Sequence, residues 1–131
     1  KSGIKITVMP LDVTHKALVT PERNNAFRSL GTKVGIATAE MTDFFERFDK
    51  EKYGSAGAPL HDPCVIAYLI KPDLFSGRNI NVTIETSSKL TMGMTVADWW
   101  GVTERPANAT FINQIDADGF FKLLTERLGR L

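Results

Sequence analysis

The chain has 131 residues, 43% hydrophobic and 24% charged, the length and composition of one globular domain able to bury a core. Sixteen Lys plus Arg against fifteen Asp plus Glu give a formal charge of +1, so no electrostatic footprint for nucleic acid or an anionic membrane is present. No apolar run approaches the roughly 20 residues of a membrane span, no secretory signal is expected, and the single cysteine, Cys64, offers neither a disulfide framework nor zinc-ligand spacing; the expected compartment is a reducing cytoplasm.

Ile4, Ile6 and Val8 alternate, and the apolar run through Leu11 predicts an opening strand covered on both faces. A core strand this close to a terminus suggests a chain that begins inside a larger domain. Asp12, Thr14 and His15 follow it, at the strand end where open α/β sheets place ligands, although Asp and Thr are equally favoured as turn and cap residues. Thr20-Pro21-Glu22 starts a helix with Ala26, Phe27 and Leu30 on one face, and Gly31 stops it. Thr32 caps the next, in which Val34, Ala37, Met41, Phe44, Phe45 and Phe48 form an amphipathic stripe expected to be core. Residues 49–57 are polar, then small and Gly-rich, a segment suited to move, with Tyr53 able to close over a ring-shaped ligand.

Gly57-Ala58-Pro59-Leu60-His61-Asp62-Pro63 then reads as a loop entering a helix, with Asp62 at the N-cap and Pro63 at the first helical position. The seven residues that follow, 64–70, carry no charge, which predicts a helix without a solvent face, deep in the core. Two readings of the His-Asp pair stand side by side. Asp62 caps the helix and His61 is a loop residue, or Asp62 is a metal ligand or charge stabiliser and His61 a proton donor or acceptor.

Lys71-Pro72-Asp73 ends that helix, and residues 79–86 alternate as a half-exposed strand. Residues 90–100 are expected to pair back on it, with Gly93 marking a bulge or kink. A last strand is predicted over 109–115. Asp116 caps a final helix striped by Ala117, Phe120, Phe121, Leu124 and Leu128, with Arg127 and Arg130 near its negative end. Asn81-Val82-Thr83 and Asn108-Ala109-Thr110 match the glycosylation sequon and are read as coincidences of strand composition.

Leu11-Asp12-Val13-Thr14 after the first strand, Pro59-Leu60-His61-Asp62-Pro63, and Leu90-Thr91-Met92-Gly93-Met94-Thr95-Val96-Ala97-Asp98 together closely resemble the inosine-uridine-preferring nucleoside hydrolase family. The resemblance covers essentially the whole chain and corresponds to the C-terminal part of the family's single domain, less than half of it. It implies an α/β, Rossmann-like fold with a mixed sheet and flanking helices, a calcium cofactor, and hydrolysis of the N-glycosidic bond of a ribonucleoside substrate. By the same resemblance His61 would be the leaving-group acid, Asp62 a calcium ligand and Tyr53 a base-contacting residue. The complete enzyme would be a homo-oligomer.

The family's aspartate-rich motif, Asp-x-Asp-Pro-Gly-x-Asp-Asp, which supplies most calcium ligands and the base for the attacking water, does not occur in this sequence, nor do the ribose-binding asparagines of the middle segment. Met92 stands where many relatives carry arginine. Calcium takes about six to eight oxygen ligands and a helix N-terminus disfavours cations, so Asp62 alone cannot hold the ion. The expected partner is the N-terminal part of the same domain, and the isolated chain is expected to be inactive. The alternative is a non-catalytic binding or interaction module derived from that fold.

Overall fold

The computed structural model describes residues 3–54 and 56–131, with residues 48–50, 52 and 53 described by backbone alone. A three-stranded mixed sheet organises the molecule. Strand β1 (Thr7–Val8) runs parallel to β7 (Ala109–Ile115), whose other edge pairs antiparallel with β4 (Phe75–Ile80). The β4–β7 register shifts between Ser76 and Gly77, where a Cβ on Gly77 would stand 2.1 Å from the Phe111 carbonyl oxygen; this strand pair therefore requires glycine at the bulge.

The opening strand is shorter and barer than its alternation predicts. Only Thr7 and Val8 pair, against Thr110 and Phe111, and Ile4 and Ile6, ahead of the paired stretch, are exposed. Pro10, without an N–H for the ladder, ends the apolar run; its carbonyl accepts from the amides of Val13 and Thr14, starting helix α1 (Leu11–Thr14). Two further ladders are antiparallel pairs: β2 (Leu18–Val19) with β3 (Ala58–Pro59), and β5 (Val82–Ile84) with β6 (Thr95–Ala97). The strand predicted over 79–86 is thus two, broken at Asn81 where the chain leaves one sheet for the other ladder. Gly93, at φ +83°, belongs to the turn between β5 and β6 rather than to a bulge within a strand. The two sequon asparagines serve internal bonds: Asn81 Nδ2 donates to the Pro106 carbonyl, and Asn108 clasps the amide and carbonyl of Val82.

Helix α2 (Pro21–Arg28) starts as expected, with Thr20 Oγ1 accepting from the Arg23 amide, and Gly31 (φ +67°) follows its end. Thr32 Oγ1 accepts from the Gly35 amide at the start of α3 (Lys33–Tyr53). This helix overturns two expectations. It continues to Tyr53, through residues expected to be loop, and among the described side chains its buried face consists of Gly35, Ala39 and Thr42 rather than Met41, Phe44 and Phe45; the side chain of Phe48 lies outside the described residues. Met41, Phe44 and Phe45 are exposed, Phe44 by 73%, because the α2–α3 contact is built on small and polar residues. A Cβ on Gly35 would meet the Phe27 carbonyl oxygen at 2.6 Å, and Asn24, buried on α2, donates to the Ala39 carbonyl and to Asp43.

The final helix, α5 (Ala117–Leu128), matches its prediction: Asp116 Oδ1 accepts from the Gly119 amide, Phe120 and Phe121 are buried, and Leu124 and Leu128 pack against the core. The core gathers Val13, Phe27, Cys64, Leu74, Ile112 and Phe120 among others, and Phe121 lies edge-on to Phe120 at 5.0 Å between centroids. Arg23 closes it from above, 4.3 Å over the Phe121 ring and 2.6 Å from Asp118.

Helix α4 (Asp62–Ile70) carries the main correction. Cys64 and Ala67 are buried, but Val65, Ile66, Leu69 and Ile70 are exposed, Leu69 by 72%. The absence of charge reports a helix suited to burial on every side, while the described residues cover one side only. Beside it, Pro63, Ile66, Ile70, Phe120 and Leu123 line an open apolar groove of about 380 Å³, with Asp62 and Arg127 among its lining residues. No helix among the described residues is long and apolar enough to cross a membrane.

Candidate active site at the start of helix α4

The loop that delivers His61 and Asp62 is held by short-range geometry. The β2–β3 pairing sets Ala58 and Pro59 opposite Val19 and Leu18, and the Leu60 amide donates to the Ala17 carbonyl at 3.0 Å. Cys64 Sγ donates back to the Leu60 carbonyl at 3.0 Å, and burial pushes its thiol up to about 11, so it serves as a small core residue.

His61 itself is the N-cap of α4, with helical backbone angles, so Asp62 and Pro63 are the first two helical residues, one position later than the sequence reading placed them. The consequence is chemical. An N1 aspartate is not the capping residue, and the exposed Asp62 carboxylate makes no hydrogen bond among the described residues. It is free to accept a partner from outside.

The His61 ring is half-buried and anchored: its Nδ1 lies 2.8 Å from Oγ1 of Thr14, a buried residue at the end of α1. His15 sits alongside, its ring centroid 5.3 Å from that of His61. This end of α1 lies just beyond the C-terminal end of β1, and Lys16 ties it to the C-terminal end of the parallel strand β7 by donating to the Asn113 carbonyl (2.7 Å) and Gln114 Oε1 (3.0 Å). Carboxyl ends of parallel strands are where α/β sheets place ligands.

Among the sequence candidates, the structure therefore brings His61, Asp62 and His15 to one place. Thr14 stands in the sequence beside His15 with no sign of its partner, since its bond to His61 joins residues too far apart along the chain for spacing to reveal. Asp12 is exposed on α1 and makes no hydrogen bond or ion pair among the described residues. The side chain of Tyr53, the expected base-contacting residue, lies outside the described residues. Met92 is exposed in the turn between β5 and β6.

Among the described residues no group of three or more His, Cys, Asp or Glu could hold a metal ion. Asp62 fits one carboxylate ligand of a hard cation; a full set of oxygens must come from elsewhere. A cavity of about 1170 Å³ lies at the other end of the sheet, between residues 3–7 and 105–110, and its lining contains no carboxylate, imidazole or thiol.

The model of the inosine-uridine preferring nucleoside hydrolase family matches residues 1–122. The chain is 47% identical over 130 residues to a Schizosaccharomyces pombe protein of uncharacterised function, covering 99% of this chain and 42% of that one. It is likewise 47% identical over 129 residues to the pyrimidine-specific ribonucleoside hydrolase RihA of Escherichia fergusonii, covering 98% of this chain and 42% of the relative. A purine-preferring ribonucleoside hydrolase from Gardnerella vaginalis superposes with a TM-score of 0.81 at 28% identity, over 98% of this chain and 41% of that one. The plant nucleoside hydrolase PpNRh1 shares the fold, with a TM-score of 0.82 at 21% identity over 98% of this chain and 42% of that one. The chain thus spans 42% of the length of the curated relatives it matches. With its motifs, its mixed sheet and nearly all of its residues matched, the chain belongs to the inosine-uridine preferring nucleoside hydrolase family.

Proposed function

We propose that this chain carries the leaving-group half of a nucleoside hydrolase site and that the remainder of the same domain supplies the other half. The observation that carries the reading is the pair at the start of α4: an anchored imidazole beside a carboxylate that does not cap its helix. In this reading the substrate is a ribonucleoside, cleaved to ribose and free base. His61 gives a proton to the departing base, and Tyr53 contacts that base.

Asp62 is proposed as one of several calcium ligands. Bound calcium would orient and acidify the attacking water. Cleavage through an oxocarbenium-like transition state needs that water on one face of the sugar and a protonated leaving base on the other. His61 answers the second need only. The other ligands and the base for the water would come from the rest of the domain, which would also cover the exposed apolar face of α4; the family relatives have more than twice this length. Assembly of the complete enzyme into a homo-oligomer, and a cytoplasmic location, belong to the same proposal.

The test uses two substrates and two variants of the complete enzyme. His61→Ala is expected to lower turnover on nucleosides by roughly 10²- to 10⁴-fold while leaving metal binding intact. A nitrophenyl riboside, whose phenolate departs without a proton, should be cleaved by His61→Ala near the parent rate. Asp62→Asn should lose activity on both substrates. Equal losses on the two substrates for His61→Ala would overturn its role as acid. The 131-residue chain alone is expected to release no ribose; release by the purified chain would overturn the division into halves. A complete protein that holds no metal and cleaves neither substrate would instead be a binding module.

A further inference from the structure

We infer that Thr14 is a positioning residue for His61: its hydroxyl oxygen holds the proton of Nδ1, so that the proton passed to the departing base moves through Nε2 alone. The inference rests on the reading of His61 as leaving-group acid. Its geometry stands on the 2.8 Å separation between Thr14 Oγ1 and His61 Nδ1.

Both partners are pinned. Thr14 is 3% exposed, its amide bonded to the Pro10 carbonyl, and its β-branched side chain has few rotamers to choose from. On the other side, the Leu60 amide is held by the Ala17 carbonyl and the Cys64 amide by the His61 carbonyl, which fixes the backbone on both flanks of the imidazole. A hydroxyl can donate to a bare ring nitrogen or accept from a protonated one. The acid role decides between these. A histidine that donates to a leaving group starts as imidazolium, in which both ring nitrogens are donors, so at that stage Thr14 Oγ1 must accept.

The step then balances. The glycosidic C–N bond breaks and its electron pair stays on the base nitrogen, which takes the Nε2 proton. Water adds its hydroxyl to the sugar and gives its other proton to the base elsewhere in the domain. His61 is left neutral with its remaining proton on Nδ1, facing Thr14, and Nε2 is ready to be reloaded from solvent. Which ring nitrogen carries the proton is set by the hydrogen bond the other makes. With Thr14 in place the ring neither flips nor changes tautomer between turnovers.

The chain has only two histidines, so ¹⁵N-histidine labelling with a His15→Asn control assigns the His61 nitrogens directly. In the neutral ring, Nδ1 is expected to resonate as the protonated nitrogen and Nε2 as the bare one. Dominance of the Nε2–H form in the unmodified chain overturns the inference without any Thr14 variant. Thr14→Val should shift the ring to a mixture or to the Nε2–H form, and Thr14→Ser should restore it; an unchanged tautomer in folded Thr14→Val also overturns the inference. In the complete enzyme, Thr14→Val should lower kcat on nucleosides by about tenfold or more, the scale seen when partners that orient a functional histidine are lost, with nitrophenyl riboside cleavage unchanged. If His61→Ala loses both substrates equally, the acid reading fails. If His61→Ala behaves as an acid variant while Thr14→Val loses nothing, only the role of Thr14 fails.

Discussion

The rings of His15 and His61 lie 5.3 Å apart, centroid to centroid, with 51° between their planes. The contact joins the end of α1 to the start of α4, and it sets an exposed imidazole against a half-buried one. A ring at this distance shifts the resonances of its neighbour. His15→Ala should therefore move the His61 ring-proton signals while the bond to Thr14 persists. Unchanged His61 signals would mean that the two rings do not sit together in solution.

The bare face of α4 has a direct consequence. Ile66 (58% exposed) and Leu69 (72%) lie with Val65 and Ile70 on one uncovered surface, and contiguous apolar surface of this kind binds dyes and promotes association. The 131-residue chain should bind ANS and self-associate with rising concentration in sedimentation. Leu69→Lys should reduce both without a change in circular dichroism, since the side chain touches little of the core. A monomer that ignores ANS at all concentrations would contradict the exposed face.

Between α2 and α3 a polar network takes the place of a hydrophobic stripe. Thr42 Oγ1 donates to Asn24 Oδ1 at 2.6 Å, both residues are buried, and Arg28 reaches Asp43 at 2.6 Å on the rim. Thr42→Val keeps the shape and leaves Asn24 Oδ1 without its donor. The expected cost is about 1–3 kcal/mol, read as a lower denaturation midpoint at unchanged slope. An unchanged midpoint would show that the Asn24 carbonyl oxygen does not depend on Thr42.

Glu85 organises the turn between β5 and β6. Hydrogen bonds from the Ser87 amide, the Ser87 hydroxyl and the Ser88 amide hold its carboxyl down at about 2, against an ordinary 4.5. The folded value lies below the unfolded one, so the stabilisation is complete above about 4.5 and disappears as pH falls through about 2. A carboxyl ¹³C titration should find Glu85 still ionised near pH 3.5, where an unperturbed glutamate is mostly protonated. A midpoint above 4 would contradict the turn geometry. Glu85→Gln should speed amide exchange at Ser87 and Ser88 even at neutral pH.

What the sequence by itself determined is local chemistry and family. Thr20, Thr32 and Asp116 accept the N–H bonds expected of them, Gly31 follows α2 with a positive φ, and the motif around His61 and Asp62 opens a helix, because caps and turns are decided by hydrogen bonds that reach a few residues along the chain. Tertiary structure decided the rest. Periodicity on α3 and α4 identified apolar faces but not what lies against them, so Phe44 and Leu69 were expected in a core and stand in solvent, while Gly35, Ala39 and Thr42 make the buried contact. The break of the long strand at Asn81 follows from the separate pairings of β4 with β7 and β5 with β6. The site divides in the same way. His61 and Asp62 are neighbours in sequence and were legible there; Thr14 and His15 meet His61 only because β2 and β3 pair and draw the two segments together, a contact between residues distant in the chain that no local pattern encodes.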